Sequence, residues 1–487
     1  MEVRGSVIVG DDGEENSKPP IKGGFADLGR PIEPHEKDDV PRILVKNFRR
    51  NTKPSKLHTV FSNFGAITYM AVKDQKAVIE FSDRTAVQEI LKCKFLKVQG
   101  SRVDCEPLQR FLHVERCQFQ VELHADLMQL QSEETFSKFT ARLCQQAAAN
   151  TREDVQSLCQ QLESVARAAY PYCKAHPFGS RVTRLGLEGC DLDIFLDCGN
   201  MYNGENDQQP VQQQNLGETT LKQMVKCDDF GRIHKVLHAR VPILKFFHLP
   251  TGIYGDIAFR NGLGVENSKL LNFLQSLDNR LQSLFLFVKM WARLQCLRSV
   301  SEPHHFTSYA LVMMAVFYLQ QLPQPVLPPI KKLMEEHKGE QQVIAGWPCS
   351  FTQDKKVVPK TRNSSSLLEL TRGFFHFYQF FHFEWKIICP YLGKAIERKD
   401  MDDILNPEGE LGYLLPTYVN NLQQDDGEPL HTRSAVCIQD PFEHSHNLSR
   451  SVKDEILMNF ISSCGLILLL LQTVFVLTKS DFILKND

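Results

Sequence analysis

The 14 cysteines of this 487-residue chain form no C-x-x-C pair and no paired Cys/His ligand spacing. That removes the common structural zinc sites, whose ligands come at short fixed intervals. Scattered thiols without a disulfide framework are expected as free, mostly buried side chains in a reducing compartment. Net charge is nearly absent as well: 56 Lys and Arg against 58 Asp and Glu leave −2. Any nucleic-acid contact must come from local basic patches, because global charge supplies none. The opening run MEVRGSVIVGDDGEENSKPP lacks the apolar stretch of a secretory signal and is too acidic for a typical mitochondrial transit peptide. What is present is globular composition, 42% hydrophobic and 23% charged, in a length that allows about two to four domains.

Texture divides the chain. Residues 1–40 are polar with Gly, Pro and acidic clusters and are expected to be disordered. Residues 41–110 read as strand RILVKNF, helix KPSKLHTVFSNFG, strands AITYMAVKD and KAVIEF, helix RTAVQEILKC and a last strand around Val103. The order β-α-β-β-α-β is the ferredoxin-like pattern of an RNA recognition motif. Such modules stack bases on aromatics of the central strands. Here those slots hold Leu44, Lys76 and Val78, so Lys46, Lys73 and Lys76 are left as candidate RNA-phosphate contacts, and a protein-contact role is the alternative. Residues 111–151 read as a helical linker, 152–262 as a sheet domain, 263–455 as mostly helical and 456–487 as an apolar tail. The Gln-rich insert Cys198–Gln223 reads as a flexible loop and FFHFYQFFHFEW as a buried aromatic helix without a metal role. Ile456–Leu477 is long enough to span a bilayer, though Asn459, two serines and Gln472 interrupt it; a membrane anchor and a buried closing helix are the two readings.

The chemistry concentrates in Phe178–Asp193, FGSRVTRLGLEGCDLD. If the apolar run Ile194–Leu196 continues a strand back through the aspartates, Asp191 and Asp193 project from one face. Two carboxylates so placed repel unless a cation lies between them, and hard oxygens suit Mg²⁺ carrying phosphates as further ligands. Gly179 permits close backbone approach to a phosphate and Ser180 offers it a hydroxyl and an N–H. Asp256, in the apolar run YGDIAF, would be costly in a strand core unless paired or metal-bound, and supplies a third carboxylate for a two-metal centre. Lys289 and Arg293 of VKMWARL share a helix face and offer countercharge for phosphates.

These runs, followed by RVPILKFFHLPTGIYGDIAFRN, TSYALVMMAVFYLQ and IQDPFEHSHNLSRSV, resemble the DNA-polymerase-β-like terminal nucleotidyltransferases over about Cys159–Val452. The upstream β-α-β-β-α-β module and the W-x-C-S-F run at Trp347–Phe351 look most like the branch of U6 small nuclear RNA-specific uridylyltransferases, also called speckle-targeted poly(A) polymerases. Mitochondrial poly(A) polymerases are the competing branch. The resemblance implies an α+β protein: a ferredoxin-like RNA recognition motif, then a nucleotidyltransferase palm with a mixed sheet, then a mostly helical PAP-associated domain. It implies Mg²⁺ or Mn²⁺ on Asp191, Asp193 and Asp256, and a triphosphate on Gly179 and Ser180. It puts Asn267 at the ribose, Lys289, Arg293 and Ser308 at the phosphates, Tyr309 stacked on the base, and His446 and Asn447 in the nucleotide-recognition loop. A His at that place favours UTP in the family by crowding adenine. The implied activity is addition of UMP, with AMP the alternative, to RNA 3′ ends such as those of U6 RNA or selected mRNAs, in the nucleus (nucleolus or speckles) or else the mitochondrion. A catalytically silent RNA-binding scaffold is the reading of another class. The branch's zinc finger has no counterpart here, the chain ends in the apolar run instead of a long basic extension, and the insert is short where relatives carry a long Pro-rich one.

Overall fold

The computed structural model describes residues 42–49, 52–73, 76–93, 96–107, 130, 132–149, 154–199, 201–203, 210–236, 242–297, 304–406, 409–425 and 427–471. The chain separates into two compact units, residues 1–124 and 125–487.

The first unit follows its alternating pattern. Ile43 and Val45 of β1 (Arg42–Lys46) are buried, as are Leu57 and Phe61 of α1 (Pro54–Phe61). Strands β2 (Ile67–Lys73) and β3 (Lys76–Phe81) and helix α2 (Arg84–Lys92), capped by Asp83 accepting from the Thr85 N–H at 3.0 Å, close the same core. Two more strands follow, β4 (Leu96–Val98) and β5 (Ser101–Pro107); β4 was not anticipated. The sheet order is β2-β3-β1-β5-β4, antiparallel where β1 meets β3 and β5. In register Leu44 pairs with Val78 and Lys46 with Lys76 on one side, and Lys46 with Asp104 on the other. That acid weakens Lys46 as a phosphate contact. The side chains of Lys73 and Lys76 lie outside the described residues.

The second unit begins with α3 (Glu133–Ala149) and α4 (Asp154–Ala166). Much of the expected 111–151 linker falls outside the described residues, and α3 is no linker: its Phe136 packs on Phe287 with ring centroids 4.9 Å apart. Strands β6 (Lys174–Phe178) and β7 (Leu192–Asp197) precede α5 (Pro210–Met224). Thus the supposed flexible insert is largely a helix, because Leu216, Thr220 and Met224 recur at helical spacing and turn onto the sheet. Strands β8 (Phe230–Val236), β9 (Ile243–His248) and β10 (Ile253–Ala258) complete a sheet of order β6-β7-β10-β9-β8. Only β7 and β10 run parallel; the other pairs are antiparallel.

Strand alternation sorts the two faces of this sheet. Leu192, Ile194 and Leu196, Leu244 and Phe246, and Ile253 and Ile257 pack against Leu158 and Leu162 of α4 and Met224 of α5. Gly255 belongs to that buried face, and any Cβ there would stand 2.3 Å from the Phe246 ring. The opposite face therefore carries Asp193, Lys245, Phe247, Tyr254 and Asp256.

Helices α6 (Leu263–Leu277), α7 (Leu281–Leu294), α8 (Ser308–Gln321), α9 (Leu367–Gln379) and α10 (Asp454–Leu471) form most of the remainder. Helix α9 starts at a Ser366/Glu369 capping box and buries Phe374, Phe375 and Tyr378. It stops at Gln379, so the aromatic run is not one buried helix: Phe380 and Trp385 are 63% and 60% exposed. The apolar C-terminal run begins as α10, which lays Leu457, Phe460, Cys464, Ile467 and Leu471 inward while α9 holds it and Arg372 Nε donates to the Leu471 carbonyl at 2.8 Å. Met458, Leu466 and Leu469 remain exposed. The helix is long and apolar enough to cross a membrane by length and composition; one side of it is a closing face of this unit. Residues 472–487 lie outside the described set.

Candidate active site

Parallel pairing of β7 with β10 sets Asp193 directly opposite Asp256, and Asp191 precedes β7 by one residue. Across the other edge of β7, Phe178 pairs with Asp193, which brings the following Gly179 onto the same carboxylate. Gly179 has φ +78, and a Cβ on it would stand 2.1 Å from Asp193 Oδ2. The turn is fixed from behind: the Gly179 N–H donates to Ser268 Oγ at 2.8 Å, and that hydroxyl donates to the Gly264 carbonyl at 2.9 Å. Leu185 N–H and Thr183 N–H return to the Ser180 and Gly179 carbonyls at 3.0 and 3.1 Å, folding the chain after Ser180 into a tight loop.

Burial, then the carboxylates of Asp256 and Asp191, push Asp193 up to about 7, against the pull of Lys245 and Lys289. A carboxyl holding its proton near neutrality marks a place short of positive charge. Lys245, paired with Asp256 across β9 and β10, supplies some of it: its ammonium donates to both Asp256 oxygens, at 2.7 and 2.5 Å, and stands 4.0 Å from Asp191. Sequence reasoning missed Lys245; a lysine at alternate spacing in VPILKFFH, on a strand neighbouring YGDIAF, was the available signal.

Among the described residues no three His, Cys, Asp or Glu side chains close into a ready-made metal cage. The expected three-carboxylate cage is instead held open, because Asp256 is turned to Lys245. The donor set still fits Mg²⁺, which binds through one or two carboxylates plus waters and substrate phosphates rather than an all-protein shell. Asp191, Asp193 and Asp256 would hold it. Lys245→Met should tighten Mn²⁺ binding to the protein about tenfold, measured by titration calorimetry without nucleotide, since a competing cation is removed. An unchanged affinity would mean that Lys245 does not hold the metal-free site.

Lys289 and Arg293, expected at the phosphates, bond to the loop after Ser180. Lys289 is 2% exposed and its ammonium donates to the Leu185 carbonyl; Arg293 Nη1 donates to the Glu188 carbonyl at 2.9 Å. Asn272, Gln275 and Gln282 donate to the Val182, Thr183 and Arg184 carbonyls at 3.3, 3.0 and 3.1 Å. Five side chains of α6 and α7 thus strap the loop between Ser180 and Asp191. Lys289 also lends its charge to Asp193. The described bonds make both cations braces of that loop.

Helix α6 and the segment before α10 supply the facing wall. Asn267 Nδ2 donates to Asp440 Oδ2 at 3.4 Å, while Asn267 Oδ1, Ser308 Oγ and Tyr309 Oη are buried without a hydrogen-bond partner. Burial raises the Tyr309 hydroxyl well above its ordinary range, with Asp440 adding to it. These three polar atoms, on residues expected at the ribose, phosphates and base, are left with hydrogen-bonding capacity to spare. Asp440 accepts from the Phe442 and Glu443 N–H groups, both at 2.9 Å, and its own N–H donates to the His446 carbonyl at 2.9 Å, which shapes the turn presenting His446.

Within that turn the two histidines differ. His444 is buried against Tyr391 and Trp347, at 4.3 and 5.5 Å between ring centroids, and desolvation lowers it to about 4, so it is a neutral packing residue. His446 is half-buried. Asn447, expected at the nucleotide, is wholly committed to the loop. Its Oδ1 accepts from the Ile438 and Ser449 N–H groups at 3.1 and 2.9 Å, and its Nδ2 donates to the His431 and Val436 carbonyls at 3.0 and 3.2 Å. The Trp347–Phe351 run is structural too, its two aromatics buried and Phe351 stacked on Phe442.

Two family models match the chain. Residues 133–276 match the "Poly(A) RNA polymerase, mitochondrial-like, central palm domain" and residues 366–446 match "Cid1 family poly A polymerase". Over those two segments the chain is similar to DNA-polymerase-β-like nucleotidyltransferases. A speckle-targeted poly(A) polymerase of Danio rerio is 27% identical over 480 residues, covering 87% of this chain and 58% of the relative. The chain spans less than two thirds of the curated relatives it matches, 58%, 56% and 49% in three of them. Among solved structures, mtPAP in complex with ATPγS is 22% identical with a TM-score of 0.56, covering 88% of this chain and 91% of that one. The Cid1 poly(U) polymerase with Mg and 3′-dATP is 22% identical with a TM-score of 0.53, covering 69% and 93%. These likenesses show the α+β nucleotidyltransferase palm fold.

Proposed function

We propose that the chain is a metal-dependent, template-independent RNA 3′-terminal nucleotidyltransferase that uses UTP. The observation carrying this reading is the register that sets Asp193 against Asp256 and under the Gly179 turn. In this reading the β and γ phosphates lie on the Gly179–Ser180 turn, kept rigid by Ser268 and by the straps from α6 and α7. Asn267 takes the ribose, Ser308 the phosphates and Tyr309 the base. Mg²⁺, when bound, supplies charge neutralisation and a more acidic acceptor hydroxyl. Asp256, at the far side of the pair from Gly179, takes the hydroxyl proton as the 3′-oxygen bonds to the α-phosphorus and pyrophosphate departs. Lys245 must release Asp256 for that role.

His446 supports UTP: it is half-buried in a turn tied through Asp440 to Asn267, where a side chain trims the space left for a base. The second reading, ATP, is favoured by the poly(A) polymerase descriptions of both matching family models. Incubating the protein with a short RNA, Mg²⁺ and one nucleoside triphosphate at a time separates them. UTP should be incorporated about tenfold or more faster than ATP, and His446→Leu should move the UTP/ATP ratio of kcat/KM toward ATP by a similar factor. An unmoved ratio removes His446 as the reader; no extension with any nucleotide leaves the silent scaffold. We also propose nuclear action on U6 RNA or selected mRNAs, with mitochondrial transcripts as the alternative.

A further inference from the structure

The aspartate-bearing face of the palm sheet does not end at Asp256. Two residues back along β10, on the same face, is Tyr254, 43% exposed. Its register partner on β9 is Phe247, as Lys245 is the partner of Asp256. The two rings pack at 4.7 Å between centroids. Arg232, at the β8 irregularity and with φ +49, lays its guanidinium over both rings, 5.2 Å from the Phe247 centroid and 5.7 Å from that of Tyr254, and donates to Tyr254 Oη. His234, opposite Lys245 in the β8–β9 register, is exposed beside them. An aromatic pair topped by a guanidinium thus continues the catalytic face toward the β8 edge, with Tyr254 Cα about 7 Å from Asp256 Cα by strand geometry.

Direction decides what such a surface meets. The phosphate turn Gly179–Ser180 lies on the β6 side of Asp193. In-line displacement puts the attacking oxygen on the side opposite the leaving pyrophosphate, which here is the β10–β9–β8 side. Whatever carries the attacking hydroxyl approaches from that side, where Tyr254 and Phe247 stand beside the Asp256–Lys245 pair. An exposed tyrosine ring packed on Phe247 and bonded at its hydroxyl to the Arg232 guanidinium is suited to stack a nucleobase and meet a phosphate, sequence-tolerantly. Nothing in the sequence motifs pointed here; Tyr254 reads simply as part of an apolar strand.

We propose that Tyr254, Phe247 and Arg232 form the stacking platform for the 3′-terminal bases of a single-stranded RNA acceptor. This rests on the reading of the chain as an RNA nucleotidyltransferase and names where that acceptor lies. Tyr254 carries the base contact; Arg232 orients its ring and faces the adjoining phosphate.

The experiment compares the full chain with its Tyr254→Ala and Tyr254→Phe variants, using a 5′-labelled single-stranded RNA of mixed sequence and a second RNA whose 3′-terminal two nucleotides are abasic. Fluorescence anisotropy without nucleotide measures binding; steady-state extension measures KM for RNA and for UTP separately. Tyr254→Ala should weaken binding of the intact RNA and raise its KM about 10- to 100-fold, with KM for UTP unchanged. Tyr254→Phe, which keeps the ring, should stay within about twofold of the parent, and the abasic RNA should bind parent and Tyr254→Ala alike. Because Tyr254 is partly exposed, equal melting temperatures are expected and exclude a folding defect. Equal RNA binding and KM in parent and Tyr254→Ala, with the parent active, overturn the platform alone. A parent that extends no RNA with any nucleotide overturns the underlying activity, and the anisotropy series then still scores the platform. A loss that is the same for intact and abasic RNA also overturns it, since stacking would not be the cause.

Discussion

Asp193→Asn should abolish nucleotidyl transfer and yet raise the melting temperature of the metal-free protein at pH 8. The two effects share one cause. Asp193 is pushed up to about 7 by burial and by the carboxylates of Asp256 and Asp191. A carboxyl whose folded value lies above its unfolded one contributes stability that is fully present below about 4 and is lost as pH rises through about 7. At pH 8 the ionised side chain strains the palm, and an amide of the same shape relieves that strain by roughly 2–4 kcal/mol. The same amide cannot neutralise a divalent cation, and losing that charge stabilisation slows transfer by about a thousandfold or more. Scanning fluorimetry in EDTA at pH 5 and pH 8 separates the terms: the advantage of the variant should be large at pH 8 and small at pH 5. Addition of Mg²⁺ should raise the melting temperature of the parent and leave that of the variant nearly unmoved. A variant that melts below the parent at both pH values would falsify the charge-strain account, whatever its activity.

Gly179→Ala should be nearly as damaging, through geometry alone. At φ +78 a side chain costs about 1–2 kcal/mol of backbone energy, and the added Cβ would stand 2.1 Å from Asp193 Oδ2. Either the turn or the carboxylate must move by more than an ångström, and displacements of that size near reacting atoms cost about 100-fold in rate. Gly346→Ala is the control: φ there is +79, with nothing within 4 Å of the Cβ. The control should lose comparable stability and little activity. If both variants lose activity alike, backbone strain rather than contact with Asp193 is responsible.

The sequence disclosed the parts of the site whose chemistry is written in residue type. G-S, D-x-D and the lone aspartate of YGDIAF are legible because carboxylates on apolar strands have few other reasons to be there. The β-α-β-β-α-β order was legible from alternation and helical spacing, and the structure adds only β4. Partners fixed by register were not legible. Lys245 reaches Asp256 because β9 and β10 align those two positions, and no spacing in one strand announces the offset of its neighbour. Lys289 and Arg293 were legible as sharing a helix face, while their bonds to the Leu185 and Glu188 carbonyls were not. The resemblance put Asn447 in the recognition loop, but no motif showed that its amide is spent closing the turn beneath His446. The Gln-rich insert misled through composition, although Leu216, Thr220 and Met224 carried the helical period.

The parallel pairing of β7 with β10 also governs when the chain acquires its chemistry. Asp193 precedes Asp256 by a crossover that includes α5, β8 and β9, so the two meet only after that whole stretch has been placed. Contacts of such long sequence separation form late and slowly. During synthesis a nascent chain that has emerged only through β9 holds Asp191, Asp193 and the Gly179 turn but not yet Asp256. The three carboxylates therefore converge only when β10 has docked beside β7, the last strand of this sheet to emerge.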